Sequence, residues 1–326
     1  MAQHVGLITG TMVMTMQGEV AVEALRAGAS ALTLASTERP IQPLAAIAVG
    51  PVPAAAWPIV VRAGAVAEGM PIRDLIVAPD QALVLREDAD DAIKLDFSKR
   101  RLIPVRDLAN GATVTRLRPP RGARYWRPTV AAPDLLMADG ICVGATAPGA
   151  EPALPLLEWG AAQPYRERLL ARARAAGWTD TEDPDLGVEI DGIRLKPLRR
   201  AGPELAVELP AGTGEIVIAS RVSVPDEFEP GCGDTRRLGV ALAEIRLDGR
   251  LIPLDADAFG PGSFAPEHDG RGAWRWTDGA AVLKLAPASQ TRRLDLRIHW
   301  AWRSYRAPPP QQAGAVTQEA AANPDS

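Results

Sequence analysis

Proline and glycine interrupt this sequence so regularly that few stretches are long enough to form a helix. The 326 residues include 30 prolines and 29 glycines, and both residue types disfavour the interior of an α-helix. Between them lie many short runs of Val, Ile and Leu that end at Gly, Pro or Asp, a pattern typical of strands and turns. The sequence therefore predicts an all-β protein.

Length and charge narrow the class of protein further. A chain of 326 residues is long enough for about two domains. Its formal charge of −4 gives no basis for nucleic-acid binding, which needs a basic face. No apolar stretch approaches the roughly 20 residues of a membrane span, and no N-terminal signal peptide is recognisable. We expect a cytoplasmic location by default, while export by a route without an N-terminal signal stays open.

The cysteines suggest neither a metal centre nor a redox motif. Cys142 and Cys232 lie far apart, outside any Cys-x-x-Cys or Cys/His spacing. We expect two buried free thiols, with a disulfide between them as the alternative. No metal and no cofactor is predicted.

Turn signals divide the first half of the chain into short strands. Gln17-Gly18 and Asp139-Gly140 each separate two apolar runs, as in β-hairpins, and Asn110-Gly111 is a strong turn signal between two predicted strands. Residues 40–58 are rich in proline and alanine, which predicts an edge strand with loops, because proline removes hydrogen-bond donors from a sheet.

The second half begins with a linker and a helix. The segment PYRERLLARARAAGW predicts a helix with Pro164 in its first turn and Gly177 at its end. Its apolar positions make it an amphipathic packing helix. We predict a first domain at residues 1–147, a linker with the helix at 148–185, a β-sandwich of seven or eight strands at 186–305, and a disordered tail at 306–326.

Four segments in order resemble bacterial Hint (Hedgehog/intein) domains. They are TGT followed by GEVAVEALRAG at residues 9–28, RAGAVAEGMPIRDLIVAPDQAL at 62–83, LIPVRDLANGAT at 102–113, and the stretch from Tyr125-Trp126 to Asp139-Gly140. The resemblance implies a Hint-like β fold over roughly residues 4–145. It also implies a relationship to domains that rearrange and cleave their own peptide bond.

The residues that the family uses for this chemistry are replaced here. The first position of the family, a Cys or Ser nucleophile, corresponds to Gly6. The histidine of its Pro-Asp-His-Ala-Leu segment corresponds to Gln81, which cannot transfer a proton near neutral pH. A hydroxyl three residues earlier corresponds to Ala78, and the histidine of a His-Asp pair corresponds to Pro133. The comparison predicts a degenerate domain without catalytic residues.

Two polar residues survive at family positions, Thr11 and Asp134. A relocated active site would need Thr11 as the nucleophile and His4 as its base. In a β-sheet such side chains more often form cross-strand contacts.

The second domain has one dense cluster of aromatic and polar residues. Trp274 and Trp276 share one face of a strand, flanked by His268 and Asp278. Such tryptophans could form a platform for a sugar ring. The alternative, which we favour, is that both cover the core of the sandwich.

Residues 226–237 combine carboxylates with Arg236 and Arg237. A calcium ion or an anionic sugar would fit this composition, but the spacing lacks the regular pattern of a calcium loop. A solvated loop is the simpler interpretation.

Three functional hypotheses follow from the sequence. The first is an inactive Hint-type protein that acts as a binding or interaction module. The second is carbohydrate binding through the C-terminal sandwich, and the third is autoprocessing with a relocated nucleophile. The partner is unknown, with a protein or a carbohydrate as the two candidates.

Overall fold

A computed structural model describes residues 4–34, 41–53, 56–87, 99–145 and 149–309. Over these ranges the chain is built from antiparallel strands with one long helix, as the sequence predicts. The disordered tail predicted at 306–326 lies outside the described residues from position 310 onward. Arg306 itself pairs with Thr179 in a two-stranded sheet.

The N-terminal part, among the described residues, contains thirteen strands joined in one curled sheet, with 3₁₀ turns at Val22–Ala24 and Val105–Leu108. The strands are β1 (Leu7–Ile8), β2 (Met12–Thr15), β3 (Gly18–Ala21), β4 (Ser30–Leu32), β5 (Ile41–Pro51), β6 (Ile59–Val61), β7 (Leu75–Val77), β8 (Ala82–Arg86), β9 (Arg100–Pro104), β10 (Val114–Arg116), β11 (Arg124–Val130), β12 (Leu135–Ala138) and β13 (Ile141–Gly144). Their order across the sheet is β10-β6-β7-β1-β11-β5-β4-β2-β12-β13-β8-β9, with β3 paired to β2.

Strand β5 connects the two halves of this sheet. Residues 41–43 pair with β4, whereas residues 44–51 pair with β11. The segment predicted as an edge strand with loops is therefore an eleven-residue strand with a different partner at each end. Its first proline, Pro43, is opposite Ser30 close to the change of partner.

The hairpin turns form where glycine follows a polar residue. β2 and β3 pair around Gln17, with Thr15 opposite Gly18. β12 and β13 are joined by two residues, Asp139 and Gly140, which both have positive φ. This geometry matches the type I′ turn that an Asp-Gly pair favours.

Helix α1 (Trp159–Ala175) packs on the core of the N-terminal sheet. Its buried face places Ala162, Tyr165 and Leu169 in the same cluster as Leu108 and Ile103. The helix begins five residues before the predicted start, so Pro164 lies inside it and not in its first turn. It ends before Gly177, whose φ is +93°.

The C-terminal part has two larger sheets around one apolar core, which is the arrangement of a β-sandwich. Its elements are β14 (Thr179–Thr181), β15 (Gly187–Ile190), β16 (Ile193–Arg194), β17 (Pro197–Ala201), β18 (Glu204–Leu209), β19 (Glu215–Ala219), α2 (Pro225–Phe228), β20 (Val240–Leu247), β21 (Arg250–Leu251), β22 (Ser263–His268), β23 (Ala273–Thr277), β24 (Ala280–Lys284), β25 (Arg292–Ala301) and β26 (Ser304–Arg306).

One sheet has the order β16-β15-β19-β24, and the other β17-β18-β25-β20-β23-β22 with β21 on β20. Val188 and Ile218 from the first sheet share the core with Val207, Ile245 and Leu296 from the second. Residues 186–305, all of which the structure describes, hold the starts of twelve strands, β15 to β26, where the sequence predicts seven or eight. The additional ones include the two-residue strands β16 and β21, which are too short to show an alternating pattern.

Candidate functional site

The segment that precedes β1 lies against the turn between β7 and β8. The amide of Ala78 donates to the carbonyl of Gly6 at 2.8 Å, and the amide of Asp80 donates to that of His4 at 3.0 Å. The amide of His4 in turn donates to the Asp80 carboxylate at 2.6 Å. The fold thus brings Gly6, Ala78 and Gln81 into one region of the N-terminal domain.

The backbone at Gly6 disfavours a side chain. Its φ is +153°, and a Cβ atom there would lie 3.0 Å from the Cβ of Tyr125 and 3.2 Å from the carbonyl oxygen of Trp126. Real Cβ atoms rarely approach backbone and Cβ neighbours this closely, so the strand would have to shift. A Cys or Ser at this position would be strained on the present backbone.

The Gln81 side chain forms hydrogen bonds within the protein. It is only 3% exposed, and its Nε2 donates to the carbonyl of Gly144 at 3.0 Å and to that of Ala82 at 3.3 Å. Both amide hydrogens are therefore used to join the start of β8 to the end of β13. A carboxamide has no proton to exchange near neutral pH, so this group positions backbone.

Pro133 and Asp134 lie at the start of β12 and have different environments. Pro133 is exposed, whereas Asp134 is buried. The Asp134 carboxylate accepts hydrogen bonds from the amides of Leu34 at 3.1 Å and Leu135 at 2.7 Å, and from Nε2 of Gln42 at 2.8 Å. This carboxylate links the start of β12 to the segments that contain Leu34 and Gln42, which is a structural role.

The Thr11 hydroxyl is buried and donates to the carbonyl of Ile8 at 2.8 Å. Its proton is directed at a main-chain oxygen in a tight turn and not at a base. The Thr9 hydroxyl accepts from Nε1 of Trp126 at 2.9 Å. The threonines and His4, the residues that a relocated nucleophile would require, are engaged in contacts typical of a strand and its turns.

An open cleft of about 440 Å³ lies next to Gln81. Asp80 and Arg106 form an ion pair at this cleft, and Leu102, Pro104 and Leu156 supply apolar surface. One side is formed by residues 149–152, which follow the sheet. The extended backbone beyond them lies along β9, since the amide of Leu102 donates to Pro155 and that of Leu157 donates to Leu102.

The other residues of the four Hint-like segments stabilise turns. Asp74 accepts from Arg62 at 2.6 Å and from the amide of Ala63 at 2.9 Å. Arg73 binds the carboxylate of Glu19 at 2.7 Å and approaches that of Asp139 at 3.5 Å.

Asn110 holds the third segment in place. Its Oδ1 accepts from three consecutive amides, those of residues 112–114. These contacts explain why the turns of the pattern persist although its reactive residues do not.

The tryptophans of the C-terminal domain differ in exposure. Trp276 is 4% exposed and packs with Leu238 and Ala241, whereas Trp274 is half-buried and stacks on His299 with ring centroids 4.9 Å apart. Trp300 is 49% exposed and contacts Trp302 at 4.7 Å.

The two polar residues predicted beside these tryptophans differ in position: His268 lies opposite Ala273, one position from Trp274 on the paired strand, and Asp278 follows β23. His268 is exposed at the end of β22. Asp278 binds Arg118 of the N-terminal domain at 2.9 Å, and its other oxygen accepts from the amide of Ala280 at 3.1 Å. The carboxylate of Asp278 is thus engaged by Arg118, whereas His268 stays exposed beside the strand that carries Trp274.

Both cysteines are free thiols. Burial raises the pKa of the Cys142 thiol, which lowers its reactivity. Cys232 is exposed, contrary to the expectation of two buried thiols. It lies in a turn between Gly231 and Gly233, whose amides both donate to the Asp226 carboxylate.

The carboxyl of Glu227 is buried between the two domains, which the sequence did not suggest. It accepts from the Thr115 hydroxyl and from the amide of Arg116, both at 2.6 Å. Burial raises the pKa of Glu227 to about 7, and the hydrogen bonds from Thr115 and Arg116 partly oppose that shift.

The loop at 226–237, predicted to be solvated, is thus partly an interface between domains. The one cue in the sequence was an acidic residue, Glu227, placed between aromatic and proline neighbours. The partners of Glu227 are more than a hundred positions away in the sequence, so this cue does not indicate what the residue contacts.

The family comparison agrees with this architecture. Residues 5–150 match the family model described as Hint domain. The N-terminal part of the chain therefore belongs to the Hint domain family. No curated protein and no solved structure matches the chain significantly. Within the described residues, no helix has the length and apolar character to cross a membrane.

Proposed function

We propose that this Hint domain is non-catalytic and that its cleft binds an extended segment of a partner protein. The observation that carries the proposal is the backbone at Gly6, whose positive φ and close neighbours disfavour a nucleophilic side chain. Autoprocessing needs a nucleophile at this position and a proton donor to the leaving amine. The replacement of both groups, by Gly6 and Gln81, supports the loss of that activity.

The form of the cleft supports a peptide as its ligand. The chain's own segment at 155–157 already lies along Leu102 through two backbone hydrogen bonds of 2.9 and 2.8 Å. Next to it the cleft is open, with apolar side chains beside the Asp80–Arg106 ion pair. An extended peptide combines backbone polar groups with alternating side chains, which suits such a surface.

Intact-mass analysis tests the loss of activity. A folded reporter domain is fused upstream of the chain, and the purified fusion is incubated with and without hydroxylamine. We expect one unchanged mass in both conditions. A shorter product, or an ester cleaved by hydroxylamine and removed in Thr11→Ala, would show a relocated active site and overturn the proposal.

Peptide selection tests the binding role. Random peptides displayed on phage are selected on the full chain and measured by fluorescence anisotropy. Leu156 is 49% exposed and lines the cleft, so Leu156→Asp should abolish binding without unfolding the protein. Leu198→Asp, at a 57% exposed leucine of β17, is the matched control and should bind as the wild type does. Equal binding by both variants would place the peptide elsewhere.

A second candidate function is carbohydrate binding by the C-terminal domain. It is favoured by the aromatic row of Trp274, His299, Trp300 and Trp302, of which Trp300 exposes an indole face. A glycan array should show signals that Trp300→Ala removes. An array without signals, or with signals unchanged in that variant, would eliminate this function.

A further inference from the structure

A second cavity, of about 340 Å³, lies between the two domains and outside the Hint cleft. The N-terminal domain contributes Trp57, Arg116 and Arg118, and the C-terminal domain contributes residues from the loop before β20 and from β22 and β23. The C-terminal lining residues are Thr235, Arg236, Arg237, Gly262, Ser263, Phe264 and Asp278. Its volume is in the range typical of small-molecule sites.

Two of the four arginines in this lining already have carboxylate partners. Arg118 binds Asp278 at 2.9 Å. Arg236 binds Asp234 and Glu267, both at 2.8 Å, and its guanidinium lies 5.5 Å from the centre of the Phe264 ring. These pairs order the outer part of the cavity.

The other two arginines donate to main-chain carbonyls. Arg116 donates through Nη1 to Trp57 at 3.3 Å, and Arg237 donates through Nη1 to Arg116 at 3.0 Å. Burial lowers the pKa of both guanidinium groups, which indicates that their charge is poorly compensated. The carboxyl that acts on both is Glu227, and its own hydrogen bonds go to Thr115 and to a backbone amide.

Two polar atoms of the lining lack a hydrogen-bond partner in the described part of the chain. They are Nε of Arg116 and Oγ of Ser263, and both are buried. An unpaired buried donor costs roughly 1–3 kcal/mol. Both atoms are shielded from the cavity as the side chains stand, so a ligand recovers this energy by turning the two side chains toward it. Both atoms can donate, and a ligand oxygen that carries negative charge is the complementary acceptor.

We propose that this cavity binds a small molecule with one oxyanion group, a carboxylate or a phosphate, on a flat apolar body. The guanidinium groups of Arg116 and Arg237 and the Ser263 hydroxyl hold the oxyanion. Trp57 and Phe264 contact the flat body. A guanidinium group can donate two hydrogen bonds to the oxygens of either a carboxylate or a phosphate, so both anions are candidate ligands. The site is independent of the function proposed for the Hint cleft.

Calorimetric titration of the full chain tests the site with four probes: benzoate, phenyl phosphate, benzamide and inorganic phosphate. We expect at least one of the two aromatic anions to bind and to raise the melting temperature. Benzamide has the same ring without the charge and should not bind, and inorganic phosphate should bind at least tenfold more weakly. Which aromatic anion binds more tightly identifies the oxyanion.

Substitutions in the lining separate binding from stability. Arg237→Lys keeps the charge but loses the planar guanidinium group, which can donate two hydrogen bonds to one oxyanion. The substitution should weaken binding about tenfold or more. Ser263→Ala removes an unpaired hydroxyl, so it should weaken binding several-fold while leaving the melting temperature of the free protein unchanged or higher. Arg250→Lys, on the exposed strand β21, is the control and should bind normally.

The proposal is overturned if neither aromatic anion binds, if benzamide binds equally well, or if inorganic phosphate binds as tightly as the aromatic anions. It is also overturned if binding occurs but Ser263→Ala leaves it unchanged. Should Arg237→Lys fail to fold, Ser263→Ala alone decides the outcome, because its exchange removes only an atom without a partner.

Discussion

At the scale of single residues, the Hint domain has groups that shape its backbone, and we propose that it has lost the groups that react. Asn110 still accepts three amides in one turn, and Asp134 still joins separate segments. Gln81 remains buried, but its side chain now bridges two backbone carbonyls. A residue that holds a turn is needed by any folded member, whereas a nucleophile is needed only by one that cleaves itself.

Gly6 offers a direct test of this difference. Gly6→Ala should lower the free energy of unfolding by roughly 1–3 kcal/mol, because the residue has positive φ and the new Cβ meets Tyr125 and Trp126. Urea denaturation measures the change. Gly50→Ala is the matched control, since Gly50 pairs with Tyr125 from the other side of β11 and has open space around its Cα.

The control should change stability by no more than about 1 kcal/mol. If Gly6→Ala and Gly50→Ala destabilise the protein equally, the backbone at Gly6 has room for a side chain. A nucleophilic side chain would then be compatible with the backbone at that position.

Glu227 predicts a pH dependence of stability. Its pKa is about 7 in the folded protein, above the ordinary value of 4.5, so the folded state binds the proton more tightly than the unfolded state. The stability contributed by this protonation is present below about pH 4.5 and is lost as the pH rises through 7. A shift of this size corresponds to roughly 3 kcal/mol at most.

Glu227→Gln should remove the loss of stability at higher pH. The amide can accept from the Arg116 amide and donate to the Thr115 hydroxyl, so the hydrogen bonds of the interface survive. Urea denaturation at pH 5 and pH 8 should show the variant gaining stability relative to the wild type at the higher pH. The exposed Glu229→Gln is the control, and an identical pH dependence in both variants would contradict the assignment to Glu227.

At the scale of elements, the sequence predicts what short-range rules determine. The turn at Asp139-Gly140 forms where predicted, because an Asp-Gly pair between apolar runs favours a tight hairpin by itself. The turn predicted at Gln17-Gly18 lies one position earlier, at Met16-Gln17, and Gly18 begins β3. The start of α1 at Trp159 was missed, because Gly160 and Pro164 both disfavour a helix locally. Burial of Ala162 against the sheet outweighs that preference.

The same limit applies to predicting the two candidate sites from the sequence. The region around Gln81 was predictable, since the family pattern marks it by residue order. The cavity at Arg116 and Arg237 was not, because its two halves are about 120 positions apart in sequence and meet only when the domains pack. No local pattern contains that information.

Helix α1 is predicted to stabilise the Hint domain as part of its core and not as a spacer. Leu169 is fully buried in the core cluster, so Leu169→Ala should lower the unfolding free energy by about 2–5 kcal/mol. Leu170→Ala, one position away and only partly buried, should cost clearly less. Denaturation monitored by circular dichroism compares the two, and equal losses would mean that the helix does not pack as described.

At the scale of the whole molecule, side chains from both domains and from the helix meet at one interface. Glu227 reaches Thr115, Arg118 reaches Asp278, and Arg237 reaches the carbonyl of Arg116. The domains thus share polar contacts, of which those of Glu227 and Arg237 are partly buried, and separating the domains would leave these groups without their partners. We therefore expect the two domains to unfold together.

Arg166 is the residue that joins all three parts. It lies on α1 and is 8% exposed. Its guanidinium donates to the carbonyl of Ala109 at 2.7 Å in the N-terminal domain and to that of Glu227 in the C-terminal domain. Arg166→Met keeps the apolar stem but leaves two buried carbonyls without a donor, which should cost about 2–4 kcal/mol.

Scanning calorimetry checks this prediction. The wild type should show a single transition, and Arg166→Met should separate it into two, since the loss falls on the coupling between domains and not on either core. Arg172→Met removes an exposed arginine of the same helix whose guanidinium donates to the carbonyl of Gly64 in the N-terminal domain, so it should retain the single transition. Two transitions in the wild type, or one in Arg166→Met, would show that the interface does not couple the domains.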